Sequence, residues 1–198
     1  TQLTFGFPFS RNLAYDIAVD SQDRIVAVGQ KESPLNSYQI EIARYNENGS
    51  PDSSFGFQGV TLLPNSVTYP EGAVSGNAVA ISPSGEITVA SNSFLGFRVT
   101  RVLDSGALDT SFGSGTGEVQ YRKYGALPPG DQFGDKQLAL AMQLDAQGRI
   151  VVAGSVSPNN TLTSTRFAVS RFTADGVLET TFSSLGGPLV ETTRTGTR

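Results

Sequence analysis

The sequence predicts an all-β protein made of β-propeller-like blades, each of four antiparallel strands, with about three blades plus a partial one. A ring of that size stays incomplete in a single chain. Three observations lead there. The 198 residues include 22 glycines and 10 prolines, which leaves little room for long helices. One pattern occurs three times along the chain, and within each copy apolar residues alternate with a period of two, as a pleated strand requires.

The copies run from Leu13 to about Thr61, from Ala78 to about Gln120 and from Leu140 to about Thr192. Arg44, Arg101 and Arg171 mark one position of the repeat, Gly49, Gly106 and Gly176 a second, and Phe55, Phe112 and Phe182 a third, each trio spaced by 57 and then 70 residues. Units of this length with four strands describe a propeller blade better than a rung of a β-helix. The chain reads as one repeat domain over 1–198, with repeats at 13–68, 74–122 and 137–193 and a tail at 194–198. Residues 1–12 are assigned to the end of a preceding blade, because Leu3-Thr4-Phe5-Gly6-Phe7 repeats the Ser54-Phe55-Gly56-Phe57 stretch. Closure takes about four to eight blades, so either a longer chain or a second chain would complete the ring.

Each blade can be justified strand by strand. Tyr15, Ile17 and Val19 alternate with smaller or polar residues, as do Leu138, Leu140, Met142 and Leu144. A tight turn follows, with Asp23, Gly85 or Gly148 at the position that needs positive φ. The second strands, Ile25 to Val28 and Ile150 to Ala153, are near-continuous apolar runs, which predicts burial on both faces. Third strands at 38–45, 97–103 and 167–172 end at Asn48-Gly49, Ser105-Gly106 and Asp175-Gly176, which read as turns. Fourth strands are expected to begin near Val60, Val119 and Leu189.

Composition narrows the chemistry. The chain has no histidine, cysteine or tryptophan, which removes disulfides, thiolate and imidazole metal sites, and nucleophiles activated by a histidine base. Lys and Arg number 14 against 18 Asp and Glu, a net charge of −4, so no basic field collects nucleic acid. No apolar stretch is long enough to span a membrane. The chain opens on Thr with no basic segment followed by an apolar run, so a targeting peptide is expected to be removed or to lie outside it.

Arg44, Arg101 and Arg171 each precede an acid by eight residues: Asp52, Asp109 and Glu179. Each arginine shares a strand face with apolar residues, so its guanidinium is drawn into the blade and needs a partner. One reading is an intrablade latch in which the carboxylate also caps the turn that positions the phenylalanine. The other is a central ring of arginines for an anionic ligand. The acidic turns lack the dense oxygen ligands of a calcium loop. Gly113 to Gly117 leads into a strand rather than a helix, unlike a phosphate loop. No catalytic residue, metal ligand or cofactor is assigned.

Loops after the second and fourth strands emerge on one face and vary in length, and variable loops on a rigid scaffold are where binding resides. Within 121–133, Tyr121, Arg122, Lys123, Tyr124 and Phe133 combine aromatic and cationic side chains with prolines that limit loop entropy. They form the candidate contact surface; the alternative is a loop that covers the blade edge or a neighbouring chain.

The stretches Ala43-Arg44-Tyr45-Asn46-Glu47-Asn48-Gly49-Ser50-Pro51-Asp52-Ser53-Ser54-Phe55-Gly56, Arg101 to Gly113 and Asp145 to Gly154 resemble the delta-60 repeat, a propeller-like repeat of bacterial, often secreted or surface proteins. The resemblance covers nearly the whole chain. It implies a β-propeller at the cell surface or outside the cell, without naming an activity. The third copy departs from it, with Glu179 in place of Asp and Ser183 in place of Gly after the phenylalanine. The resulting expectation is a noncatalytic module for protein interaction or structural assembly, its partner a protein, or another copy or segment that completes the propeller. The alternatives are a glycan-binding lectin-like propeller and a histidine-independent carbohydrate-active enzyme, since propellers host both.

Overall fold

Twelve strands and no helix are found among the residues that the computed structural model describes: 12–32, 38–63, 75–93, 96–121, 136–157, 166–182 and 189–192. Blade 1 contains β1 (Asn12–Val19), β2 (Ile25–Glu32), β3 (Tyr38–Tyr45) and β4 (Val60–Leu62). Blade 2 contains β5 (Ser75–Ile81), β6 (Ile87–Ser93), β7 (Gly96–Val102) and β8 (Glu118–Tyr121). Blade 3 contains β9 (Lys136–Leu144), β10 (Ile150–Ser157), β11 (Arg166–Phe172) and β12 (Leu189–Thr192). Each sheet is antiparallel and keeps its strands in sequence order. The fold is all-β, with propeller-like blades.

The turn chemistry works as the residue types dictate. Asp23, Gly85 and Gly148 adopt φ of 57°, 95° and 72° and close the first hairpin of each blade. The first strands depart from strict alternation. Each carries one extra residue at the same place, Tyr15, Asn77 or Leu140, where the register shifts against the second strand. A β-bulge of this kind turns the following residues over, which is why Leu140 is exposed while Met142 is buried. It also explains two glycines: a Cβ on Gly29 or Gly154 would lie 1.8 Å from the carbonyl oxygen of Leu13 or Leu138.

The cores lie between blades. Val26, Val28, Ile42 and Phe55 of blade 1 pack with Val79 and Ile87 of blade 2. Val99, Phe112 and Tyr121 of blade 2 pack with Met142, Ile150 and Phe172 of blade 3. Burial on both faces, expected of Ile25 to Val28 and Ile150 to Ala153, is complete on one face only in those two runs; it is the middle blade, between the other two, whose Ile87, Thr88, Val89 and Ala90 are all buried. In blade 1, Ile25 and Ala27 are half-buried, and in blade 3 so are Val151 and Ala153. Those faces look away from blade 2, and no described blade covers them.

Candidate functional site

The repeated arginines organise the end of each blade where the short turns emerge. In blade 1 one carboxylate oxygen of Asp52 accepts hydrogen bonds from the Ser54 amide (3.0 Å) and hydroxyl (2.6 Å). The other accepts from Arg44 Nε at 2.8 Å. In blade 2 Asp109 does the same with Ser111 (3.0 and 2.6 Å) and Arg101 Nε (2.6 Å). In blade 3 the longer Glu179 accepts from Arg171 Nε at 2.6 Å. The turn thus fixed brings the phenylalanine ring under the guanidinium, with Arg44 over Phe55 at 4.7 Å, Arg101 over Phe112 at 4.7 Å and Arg171 over Phe182 at 4.4 Å. Such stacking contributes about 0.5–2 kcal/mol each, more where water is excluded.

The carboxylates respond to this setting. Burial pushes Asp52 and Asp109 up, but the hydrogen bonds from Ser54 or Ser111 together with the facing guanidinium outweigh it and hold both below the ordinary aspartate value. Glu86 is also held low, by hydrogen bonds from the Ser82 and Ser84 hydroxyls. One ion pair of a buried arginine was not singled out by the repeat: Arg98 Nη1 reaches the half-buried Glu118 at 3.0 Å. Burial lowers the Arg98 pKa, and Glu118 opposes that shift.

The arginines are not confined to their own blades. Arg44 Nη1 donates to the Asp104 carbonyl at 2.7 Å and to its carboxylate at 2.6 Å, and Arg101 Nη1 donates to the Ala174 carbonyl at 2.7 Å. Asp104 and Ala174 belong to the third-strand turn of the next blade. That turn seats on the blade before it: the Gly56 amide donates to the Ser105 carbonyl (2.9 Å) and the Gly113 amide to that of Asp175 (3.1 Å). Glycine is required at the tip. A Cβ on Gly106 would lie 2.5 Å from Thr61 Oγ1, and one on Gly176 would lie 2.7 Å from the Phe112 ring. The eight-residue spacing pointed to the pairing within a blade. It carried no sign of the contact across blades, which joins residues 60 and 73 positions apart.

Two further positions of the repeat, missed in the sequence, decide what each junction carries. Arg24, Glu86 and Arg149 follow the first turn at equivalent positions. Arg24 Nη2 donates to the Asp104 carboxylate at 2.7 Å, so at the junction of blades 1 and 2 that carboxylate is held between two guanidinium groups. At the junction of blades 2 and 3 both partners are changed, to Glu86 and Ala174. A cleft of about 550 Å³ opens there, with Ser84, Glu86, Thr88, Arg101, Asp145 and Ala174 in its wall. A second hollow of about 490 Å³ runs along the first strands of all three blades, past Tyr15, Asp16, Asn77, Leu140 and Gln143.

Of the loop residues singled out as a contact surface, Tyr121 is buried against Phe97 and Phe172, with ring centroids 5.2 and 6.3 Å away. Its ring belongs to the core between blades 2 and 3, because β8 places it on the inward face. Arg122, Lys123, Tyr124 and Phe133 lie outside the described residues, as do the segments 1–11 and 194–198. The three arginines are each stacked on the phenylalanine of their own blade. Among the described residues no group of three or more Asp or Glu side chains is placed to hold a metal ion. No helix among them is long and apolar enough to cross a membrane.

Residues 23–55 and 147–182 match a family described as a domain of unknown function (DUF5122) beta-propeller. Both matched segments begin in the first turn of a blade and end at the repeated phenylalanine. No curated protein matches the chain. Among solved structures, the extracellular domain of BT4673 from B. thetaiotaomicron is similar over 87% of this chain, at 12% identity and a TM-score of 0.30. The chain spans 29% of that structure's length. The two family matches and the three four-stranded antiparallel sheets together support a β-propeller fold for this chain.

Proposed function

We propose that the chain is a noncatalytic β-propeller module for protein interaction or structural assembly, working at the bacterial cell surface or outside the cell. One observation carries the reading: both end blades expose apolar positions that the internal junctions bury. Ile17 of blade 1 is 63% exposed, whereas the equivalent Val79 and Met142, packed on the preceding blade, are 6% and 7% exposed. At the other end Phe167 is 53% exposed, whereas Ile40 and Phe97 are 1% and 5% exposed. Exposed apolar faces rimmed by polar residues mark interaction sites. The arginines and acids that repeat are engaged with one another and with backbone, which suits a scaffold better than a reaction centre. The likeness to delta-60 repeats supports the extracytoplasmic setting.

The test is binding of an apolar fluorescent dye to the purified chain, run beside a panel of polysaccharide hydrolysis and lyase assays. Dye binding that falls severalfold in Ile17→Lys, with no turnover, is the expected result. Turnover of any glycan, or a chain silent toward the dye even when dilute enough to be monomeric, would overturn the reading.

A further inference from the structure

The partner of the two ends can be named from the charges they carry; this step rests on the assembly reading above. At the junction of blades 1 and 2, the Asp104 carboxylate on the incoming turn is clasped by Arg24 and Arg44. The far end of blade 3 repeats that clasp. Arg149 occupies the position of Arg24 and is held in the same way: its amide and Nε donate to Asp145 at 3.0 and 2.7 Å, as those of Arg24 donate to Asp20 at 2.9 and 2.6 Å. Arg171 occupies the position of Arg44, over Phe182.

The near end carries the matching half. The turn after β3 has the same form as the two that are docked, with the Gly49 amide donating to the Asn46 carbonyl at 2.8 Å, as Gly106 does to Leu103 at 2.8 Å and Gly176 to Thr173 at 3.0 Å. Its tip is free: Gly106 and Gly176 are buried, whereas Gly49 is exposed. At the position of Asp104 it bears Glu47, exposed. An acid on the leading turn and two arginines on the trailing end are complementary.

We propose that a second copy of this chain docks head to tail, seating its Asn46 to Gly49 turn against Arg149 and Arg171, with Glu47 in the place that Asp104 takes inside the chain. Head-to-tail contacts close into rings when the rotation permits.

The experiment is sedimentation equilibrium of the 198-residue chain over a wide concentration range, for wild type, Glu47→Arg, Arg149→Glu and the double variant. The wild type is expected to associate. Each single variant should weaken association about tenfold or more, as like charges meet at the junction. Glu47→Arg should leave the melting temperature of the dilute chain unchanged because Glu47 is exposed, whereas Arg149→Glu, which loses its ion pair with Asp145, is compared with the melting temperature of its own dilute form. The double variant, with the charges exchanged, should recover most of the loss. A chain that is monomeric throughout, or association that Glu47→Arg leaves unaltered, would overturn the second-copy assignment. Dye binding at Ile17 would then still uphold the interaction reading, so the two fail separately.

Discussion

The two junctions inside this chain share a backbone and differ in electrostatics. Between blades 1 and 2, Arg44 is only 1% exposed and spreads its donors over Asp52, Ser54 and both the carbonyl and carboxylate of Asp104. Between blades 2 and 3, Arg101 keeps Asp109 and the carbonyl of Ala174, has no carboxylate from the next blade, and its side chain is 18% exposed. What remains constant is the carbonyl contact, the glycine tip and the stacked phenylalanine. The second junction compensates through apolar contact. Val119 replaces Thr61 beside the incoming glycine, and Phe97, Tyr121 and Phe172 form an aromatic cluster. The lesson is that backbone recognition of the turn defines the junction, while the charges grade its strength.

The strongest test of that comparison is removal of the arginine. Arg44→Met should destabilise the fold by about 3–5 kcal/mol, because it takes the hydrogen-bonded guanidinium from buried Asp52, which keeps only Arg24 at 3.7 Å, and also from the carbonyl and carboxylate of Asp104. Arg101→Met should cost roughly half as much: Asp109 is as buried as Asp52, but Arg101 is itself 18% exposed and bonds no carboxylate of the next blade. Urea unfolding of the two variants measures the difference, and equal losses would break the ranking.

A smaller effect is expected from grafting one junction onto the other. Glu86→Arg together with Ala174→Asp places the Arg24 and Asp104 chemistry between blades 2 and 3. The pair should stabilise by about 1 kcal/mol more than the sum of the single changes, the scale of a partly exposed ion pair in a network. A double-mutant cycle reads this coupling, and additivity would mean that the junctions differ in geometry as well as charge.

The smallest expected effect lies in pH dependence. Asp52 and Asp109 are held below the ordinary aspartate value of about 3.9. They therefore contribute stability that is fully present above that value and is lost as pH falls through their lowered values. The urea midpoint should drop on acidification from about pH 5 to about pH 2, and Asp109→Asn should flatten that drop. An unchanged slope would show that Asp109 gains no net proton affinity change on folding.

Much of the blade was legible in the residues. The alternation of apolar positions, the Asp/Gly turns and the starts of the fourth strands near residues 60, 119 and 189 all follow from local chemistry: φ preferences and the two faces of a strand. The eight-residue spacing from arginine to acid was legible for the same reason, since both ends lie within one strand-and-turn unit. The bulge at Tyr15, Asn77 and Leu140 was not, because a residue that breaks alternation looks in sequence like any other member of it. Tyr121 was misplaced because an aromatic beside two cations reads as a loop surface until the sheet fixes which way it points.

The sequence by itself determined the repeat, the strands and the pairings inside each blade, because these depend on neighbours along the chain. Only the tertiary structure decided what happens between blades. The seating of Gly106 and Gly176, the two-arginine clasp on Asp104 and its absence around Ala174 join residues from successive repeats, and the same structure leaves Ile17, Phe167 and the Gly49 turn uncovered. A repeat specifies its own blade through short-range preferences. Which face meets which is set by stacking, and that is where the equivalent positions of this chain cease to be equivalent.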